Sequence, residues 1–476
     1  MTPSQTRIVA KAQARFGPQA AVTDADLIAP WLTDWRGRYH GASPAILQPA
    51  STQQVAALVA LCAAEGVALV PQGGNSSMVG GATPAANGSA LILSLRRMNR
   101  IRALSADEGI AVAEAGVILQ TLHETAAAAG RRFPLTLGAR GTATIGGLVS
   151  TNAGGTQVLR WGTMKALVAG VEAVLADGQV HDGLHALKKD NRGPDLDALF
   201  IGSEGTLGIV TAAALRIVPA VSARAVAWVG LDHPERALSL LRRLEAAGAA
   251  QAIESFEIIP GDSLAAVLRH IPGTRAPLAD QHRWHVLIEA VASAPAAEPP
   301  AALLERLLAD AADLYEDATL AQTETQAEAF WTLRDSLSPA ERAEGPAAQH
   351  DISVPVAAMP RFMVEAAAEA EARFPGTHAT AFGHLGDGNV HFHVRAPAGR
   401  DPAAWYAEDV PVVSAFVHDL VVAAGGSISA EHGIGQMKRS ELARLGPPAR
   451  LTVLRALKGA MDPKGLLNPG KLVSIS

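Results

Sequence analysis

Apolar residues between positions 53 and 70 recur at helical spacing as Ala, Leu and Val, break at Glu65-Gly66, and resume as Val67-Ala68-Leu69-Val70. A 3.6-residue period, a glycine stop and a short apolar run predict helix, turn and strand, an α/β opening. The strand runs directly into a glycine-rich loop. Further β-like runs occur at 90–95, 109–115, 168–175 and 208–218, with Asp177-Gly178 as a hairpin-turn signal, so the first 220 residues read as α+β. From 219 to about 317 the pattern becomes Ala/Leu/Glu/Arg helices around strands such as Trp284-His285-Val286-Leu287-Ile288-Glu289, with an Ala/Pro-rich linker at 293–300. A second domain is expected there. The last 50 residues turn to Gly/His/Pro-rich loop character, which predicts a chain that re-enters the site.

Composition narrows the chemistry. With 476 residues, 49% hydrophobic and 18% charged, the chain has material for two or three domains with a sizeable core. A net charge of −6 offers no basic field for a polyanion, so nucleic acid is not an expected partner and small molecules are. Cys62 is the single cysteine, which excludes an intramolecular disulfide framework and cysteine-rich metal or iron-sulfur sites, and fits a reducing compartment. The apolar stretch 55–70, interrupted at Glu65-Gly66, falls short of a bilayer span, and the first residues lack the apolar core of a secretory signal. The expectation is a cytoplasmic protein without a transmembrane segment.

Three loops carry the first chemical signal. The stretch PQGGNSSMVGG from Pro71 follows a strand and presents successive backbone N–H groups with little bulk, the requirement for cradling a pyrophosphate. PLTLGARGTATIGGLVSTNAGG from Pro134 and GSEGTLGIV from Gly202 repeat closely spaced Gly beside Ser, Thr and Asn. A single such loop reads more readily as a flexible surface turn; three in one domain point to one extended ligand. No G-x-G-x-x-G opens a helix, and the P-loop-like Gly465–Lys471 segment is followed by Leu472 with no room for a helix. Nicotinamide and NTPase readings both lose support.

The second signal is histidine and carboxylate. In GHLGDGNVHFH, Gly383 to His393, two short strands joined by a Gly/Asp/Asn turn set His391 and His393 on one strand face and let His384 fold back beside them. Downstream, Glu431-His432-Gly433-Ile434-Gly435 adds a carboxylate and an imidazole in a loop where glycine permits close approach. Two His and one carboxylate with an open position make a catalytic divalent site; ordinary loop histidines around a turn are the competing account.

PQGGNSSMVGG, GTATIGGLVSTNAGG, GSEGTLGIV, GHLGDGNVHFH, EHGIGQMK and MDPKGLLNPGK stand in the same order as in the FAD-binding D-lactate and D-2-hydroxyglutarate dehydrogenases, which the chain resembles over nearly its whole length. The resemblance implies an α+β protein of the vanillyl-alcohol-oxidase type. Residues 1–219 would form an FAD-binding domain of two α/β subdomains, 220–425 an α+β substrate domain, and 426–476 a segment packing back on the FAD domain. It implies that Pro71, Gly73, Gly74, Asn75, Ser76 and Ser77 hold the pyrophosphate, and that Pro134, Leu137, Gly138, Gly141, Thr142, Thr144, Gly147 and Asn152 line the flavin. Gly202, Glu204, Gly205 and Ile209 would sit by the adenosine half, and Asn468 would reach back from the last motif. Relatives that tether FAD covalently often use a His where Asn75 stands, so non-covalent FAD is implied. His384, His391 and Glu431 match the metal ligands, commonly zinc, and His432 the base.

Trp331-Thr332-Leu333-Arg334-Asp335-Ser336-Leu337-Ser338 resembles the family's substrate-carboxylate helix, with Arg334 for a bidentate grip on C1 and Ser338 beside it. Taken without the resemblance, Arg334 would pair with Asp335 or Glu328 on a helix surface. Two substrate-pocket positions depart from the hydroxyglutarate pattern: Gln349 stands where those enzymes carry Lys, and His393 where they carry Asn. The implied reaction is oxidation of a small D-2-hydroxy acid, D-2-hydroxyglutarate first, to the 2-oxo acid. Electrons would pass to an external acceptor, an electron-transfer flavoprotein or quinone, and the family implies a homodimer. A D-lactate or glycolate dehydrogenase, a flavin reductase of cell-wall precursors and a non-enzymatic flavin- or metal-binding protein remain as alternatives.

Overall fold

The computed structural model describes residues 1–294 and 298–474. The middle of the Ala/Pro-rich linker expected at 293–300 therefore lies outside the described residues. The chain divides into two units: residues 1–155, 161–220 and 431–476 form the first, and 156–160 with 221–430 the second. The strands described in the first 220 residues, with helices between them, belong to the first unit, and a long antiparallel sheet to the second.

In the first unit, Ser51 caps the helix Thr52–Glu65 by accepting the Gln54 N–H, and Gly66 ends it at φ +67°. The N–H groups of Gly66 and Val67 both return to the Cys62 carbonyl. That closure occupies Val67, so the strand runs Leu69–Gln72 and begins two residues later than the run 67–70 predicts. It lies parallel to Leu91–Ser94, which is parallel to Ile46–Leu47, and Ala21–Val22 completes this four-stranded sheet. A second sheet is antiparallel in the order Ile101–Ser105, Ile110–Glu114, Ile209–Arg216, Val168–Val174, Val180–Asp182. The Asp177-Gly178 turn connects its last two strands in the sequence, with Gly178 at φ +89°.

The last 50 residues are less loop-like than their Gly, His and Pro content suggests, since helices Arg439–Leu445 and Pro448–Met461 occupy part of them. Proline in the first turn of the second helix needs no N–H partner there, so Pro448 starts this helix rather than breaking it. After it the chain returns to the first sheet: Leu69 and Leu467 form a parallel bridge, and the Asn468 N–H donates to the Leu69 carbonyl at 2.8 Å.

The second unit is built on a seven-stranded antiparallel sheet, in the order Asp317–Leu320, Ala223–Leu231, Trp284–Ala292, Ile253–Pro260, His378–His384, Asn389–Arg395, Ala347–Ser353. One face is a continuous apolar core with Val390, Phe392 and Val394, and side chains of the helices Pro234–Ala246, Pro300–Asp310, Met359–Arg373 and Val410–Ala423 belong to that same core. Part of the other face, around Trp228, Leu287 and Phe382, is covered by side chains from Gly261–His270, Glu324–Asp335 and Leu337–Glu344. The segment read as one helix across Trp331 to Ser338 is broken at Ser336, because Pro339 has no N–H to continue the ladder. No helix among the described residues is long and apolar enough to cross a membrane.

Candidate functional site

The first glycine-rich loop leaves the carboxyl end of the parallel strand Leu69–Gln72, the end of an open sheet where crevices for ligands form. Gln72 Nε2 ties its ends by donating to the Trp31 and Ala82 carbonyls at 3.0 Å each. Within it Asn75, at φ +54°, donates to the Thr33 carbonyl at 2.9 Å, and Ser77 Oγ accepts the Gly81 N–H at 2.9 Å, with Ser76 half-buried between them. Glycine is required by the second loop: a Cβ on Gly73 would stand 2.1 Å from Thr144 Oγ1, and one on Gly74 1.8 Å from the Thr142 carbonyl oxygen. Gly138 and Gly141 instead face open space, with nothing within 4 Å of an added Cβ. The third loop packs on the first, since a Cβ on Gly205 would meet Pro71 Cγ at 2.6 Å.

Two polar atoms in this cradle are buried without a hydrogen-bond partner among the described residues, Thr144 Oγ1 and Asn468 Oδ1. Leaving such an atom unsatisfied costs about 1–3 kcal/mol, so a bound ligand with polar edges relieves both. Asn468 is already held, its Nδ2 donating to the Gly81 and Glu204 carbonyls at 3.0 and 2.7 Å. The cradle, its open glycines and its orphaned polar atoms fit a dinucleotide such as FAD.

Other residues grouped with the cofactor have their side chains engaged by the chain itself. Asn152 Oδ1 accepts from Thr163 Oγ1 and the Lys165 N–H, both at 2.9 Å. The Ile209 side chain is buried in an apolar cluster with Val174, opposite it in the sheet, while Gly202 donates its N–H to the Val149 carbonyl and Gly147 stands by Thr144. Pro134 is buried and Leu137 half-buried at the start of the second loop. Glu204 has both carboxylate oxygens engaged, accepting the N–H groups of Ile434 and Gly435 at 2.7 Å each. Burial raises its pKa, and its backbone holds φ +52°, a strained conformation for a residue of this size. Glu431 and His432, half-buried, immediately precede this anchored turn.

In the second unit the hairpin His378–His384 and Asn389–Arg395 forms as its turn residues predict. Strand alternation puts Val390, Phe392 and Val394 into the core and His391 and His393 on the opposite face, which His384 shares. The His384 and His391 rings meet edge to face with centroids 5.6 Å apart. On the same face of the edge strand Ala347–Ser353, Gln349 is opposite His393 and Asp351 opposite His391. Ser338 is half-buried on the helix Leu337–Glu344.

Arg334 is nearly buried and turns inward. Its Nε donates to Glu257 Oε2 at 2.8 Å, and its Nη2 reaches the same oxygen at 2.8 Å, while Asp335 is 3.8 Å from Nη1. Glu328 pairs with Arg224 instead. Glu257 Oε1 meets His384 Nδ1 at 2.7 Å, and Arg334 Nη2 is 3.2 Å from His384 Nε2. The Nε/Nη2 edge of Arg334, the candidate for a bidentate grip on C1, therefore faces Glu257. Burial opposes charge on His384, but Glu257 overrides it and pushes the imidazole up to about 9; burial likewise opposes charge on Glu257, and Arg334 and His384 override that, lowering its pKa. Sequence reasoning missed Glu257, although an acid within the apolar run Phe256-Glu257-Ile258-Ile259 is a signal in itself, because a carboxylate is buried there only with partners.

The cofactor-loop residues with Glu431 and His432 thus belong to the first unit; Arg334, Ser338, Gln349, His384, His391 and His393 belong to the second. Two family models match the chain, an FAD binding domain at residues 43–183 and the C-terminal domain of FAD linked oxidases at residues 221–472. Mitochondrial D-2-hydroxyglutarate dehydrogenase of Bos taurus is 35% identical over 463 residues, covering 96% of this chain and 82% of that protein. D-2-hydroxyglutarate dehydrogenase of Xanthomonas citri pv. viticola is 36% identical over 441 residues, 92% of this chain and 91% of its own length. The isoeugenol complex of 4-ethylphenol oxidase from Gulosibacter chungangensis superimposes with a TM-score of 0.72 at 19% identity over 99% of this chain and 98% of that one, a likeness of fold. The fold is the α+β fold of vanillyl-alcohol-oxidase-type flavoproteins, and the chain belongs to the FAD-linked oxidase family that contains the D-2-hydroxyglutarate dehydrogenases, a family of FAD-dependent oxidoreductases acting on CH–OH groups.

Proposed function

We propose that this protein oxidises D-2-hydroxyglutarate, or a closely related D-2-hydroxy acid, to the 2-oxo acid. The observation that carries this reading is the near full-length match to proteins named for that activity. The polar sheet face of the second unit supports it with an imidazole pair and a guanidinium around one buried carboxylate.

In this reading the loop residues Gly73 to Ser77, with Thr144 and Asn468, hold a dissociable FAD. His384, His391 and Glu431 hold a divalent metal, a donor set of two nitrogens and one oxygen that fits zinc and keeps a coordination position open. When bound, FAD supplies the acceptor for the α-carbon hydride at N5 and zinc supplies the Lewis acidity that polarises the 2-hydroxyl. His432 takes the hydroxyl proton at an imidazole nitrogen, a role that neutral imidazole fills once the hydroxyl is acidified. Arg334 neutralises the C1 carboxylate with its guanidinium charge, in a plane set by Glu257, which holds its Nε/Nη2 edge. Ser338, Gln349 and His393 line the space beyond C2. The acceptor of the flavin's electrons is external, an electron-transfer flavoprotein or a quinone, and the protein works as a homodimer in the cytoplasm, unlike relatives whose names place them in mitochondria.

One observation favours a monocarboxylate such as D-lactate or glycolate: Gln349, opposite His393, puts no cation where a second substrate carboxylate would end. The deciding experiment is anaerobic bleaching of the FAD absorbance with D- and L-2-hydroxyglutarate, D- and L-lactate, D-malate and glycolate, with and without chelator. Rapid bleaching by D-2-hydroxyglutarate establishes the reading, and faster bleaching by D-lactate or glycolate replaces it with the monocarboxylate enzyme. No bleaching by any acid in zinc-replete, FAD-loaded protein sinks the hydroxy-acid reading and leaves a flavin-binding protein.

A further inference from the structure

Glu257 is buried to 1% exposure on the strand Ile253–Pro260 and stands directly opposite His384 in the sheet register. Its two oxygens have separate tasks. Oε1 meets His384 Nδ1 at 2.7 Å, and Oε2 takes the Arg334 guanidinium, Nε and Nη2 both at 2.8 Å. An unpaired carboxylate at this depth is expensive, and each partner alone would leave one oxygen without a donor. Glu257 thus orders two side chains that come from elements far apart in sequence, the helix Glu324–Asp335 and the strand His378–His384.

We infer that Glu257 is a positioning residue of the site, acting through His384 and Arg334 without touching substrate. This rests on the proposed function, in which His384 is a metal ligand and Arg334 meets the substrate carboxylate. Accepting the proton on His384 Nδ1 fixes the ring tautomer and plane, so that Nε2, which faces Arg334 Nη2 at 3.2 Å in this structure, is the nitrogen whose lone pair would pass to a cation. Carboxylate-to-imidazole contacts of this kind raise the donor strength of a metal-bound histidine. The same carboxylate holds the Nε/Nη2 edge of Arg334 and so fixes the plane in which the guanidinium meets a substrate anion. No residue supplied by the sequence motifs performs this coupling, because Glu257 lies outside all of them.

The test uses the full-length, FAD-loaded protein with zinc alone as probe, its affinity measured by competition with a chromogenic chelator. Glu257→Gln keeps the side-chain volume but cannot accept at both oxygens. It is expected to bind zinc about 10- to 100-fold more weakly with unchanged flavin content, and excess zinc is expected to restore much of its turnover. Glu257→Asp, which keeps a carboxylate, is expected to fall between, and it answers the question alone if Glu257→Gln does not fold. His384→Ala should lose the zinc site with no rescue. Wild-type zinc affinity in both Glu257 variants overturns the inference and leaves the proposed function standing. Failure of the wild type itself to bind zinc, with full turnover in His384→Ala, overturns the metal reading and this inference with it.

Discussion

Glu204 and Ile434, 230 residues apart in sequence, are joined by a 2.7 Å hydrogen bond from the Ile434 N–H to a carboxylate oxygen, and the neighbouring Gly435 N–H takes the other oxygen at the same distance. The fit leaves no slack, since a Cβ on Gly433 would approach Glu204 Oε1 to 2.9 Å and one on Gly435 would lie 2.2 Å from the Val79 carbonyl oxygen. An acid expected beside a cofactor therefore fixes the turn that follows Glu431 and His432. Glu204→Gln retains one acceptor and should cost about 1.5–3 kcal/mol, the worth of one hydrogen bond to a charged group, read as a lowered midpoint of denaturant unfolding. Turnover should fall with FAD still bound. A variant with wild-type stability and rate would show that the anchor does nothing for the turn.

His432→Ala removes the proposed base. Loss of general-base assistance is typically worth about 10²- to 10⁴-fold, so kcat should drop by that factor while the flavin spectrum stays that of the wild type. Turnover at the wild-type rate would move the base elsewhere.

Zinc removal should separate the two cofactors. Dialysis against a chelator is expected to abolish bleaching by the hydroxy acid without releasing FAD, and added zinc to restore it. Chelated protein that works at full rate would leave His384, His391 and Glu431 without a metal role.

Gln349→Lys adds a cation beside His393 at the far end of the proposed pocket. The ratio of kcat/KM for D-2-hydroxyglutarate over D-lactate should rise about 10-fold or more, the yield of one new charge-assisted contact of at least 1.4 kcal/mol. An unchanged ratio would place the distal carboxylate away from this strand.

Cys62 offers a check on the fold alone. It is 1% exposed in the helix Thr52–Glu65, and burial, followed by the charge of Glu65, pushes its thiol up to about 12. The native protein should resist thiol reagents at pH 8 and react fully in guanidinium. The sign of the linkage is definite: the unfolded thiol ionises near its ordinary value of 9 while the native one stays protonated to about 12. Across that window wild type should lose stability relative to Cys62→Ala, by up to about 1.4 kcal/mol per pH unit.

What the sequence made legible was local. The stop at Gly66, the Asp177-Gly178 turn and the hairpin that sets His391 and His393 on one face each follow from neighbouring residues with definite backbone preferences. The Val67 start of a strand failed locally too, because closing the preceding helix required its N–H. What stayed hidden was register between distant strands. Nothing near Glu257 announces His384, 127 residues away, and for Arg334 local sequence offered only Asp335 or Glu328 as partners, not the acid that the sheet brings to it. Glu204 was found as part of a motif without its partners Ile434 and Gly435, which are backbone amides that a side-chain pattern does not advertise.

The interleaving of the two units also bears on how the protein is made. Apart from the short piece 156–160, the second unit is the contiguous stretch 221–430, so the ribosome delivers it before residues 431–476 of the first. Until those arrive, Leu69 lacks its bridge to Leu467 and the Gly81 and Glu204 carbonyls lack the Asn468 amide. The dinucleotide cradle thus waits for Asn468, and a nascent chain halted short of it would have every strand of the seven-stranded sheet while its cofactor pocket was half built.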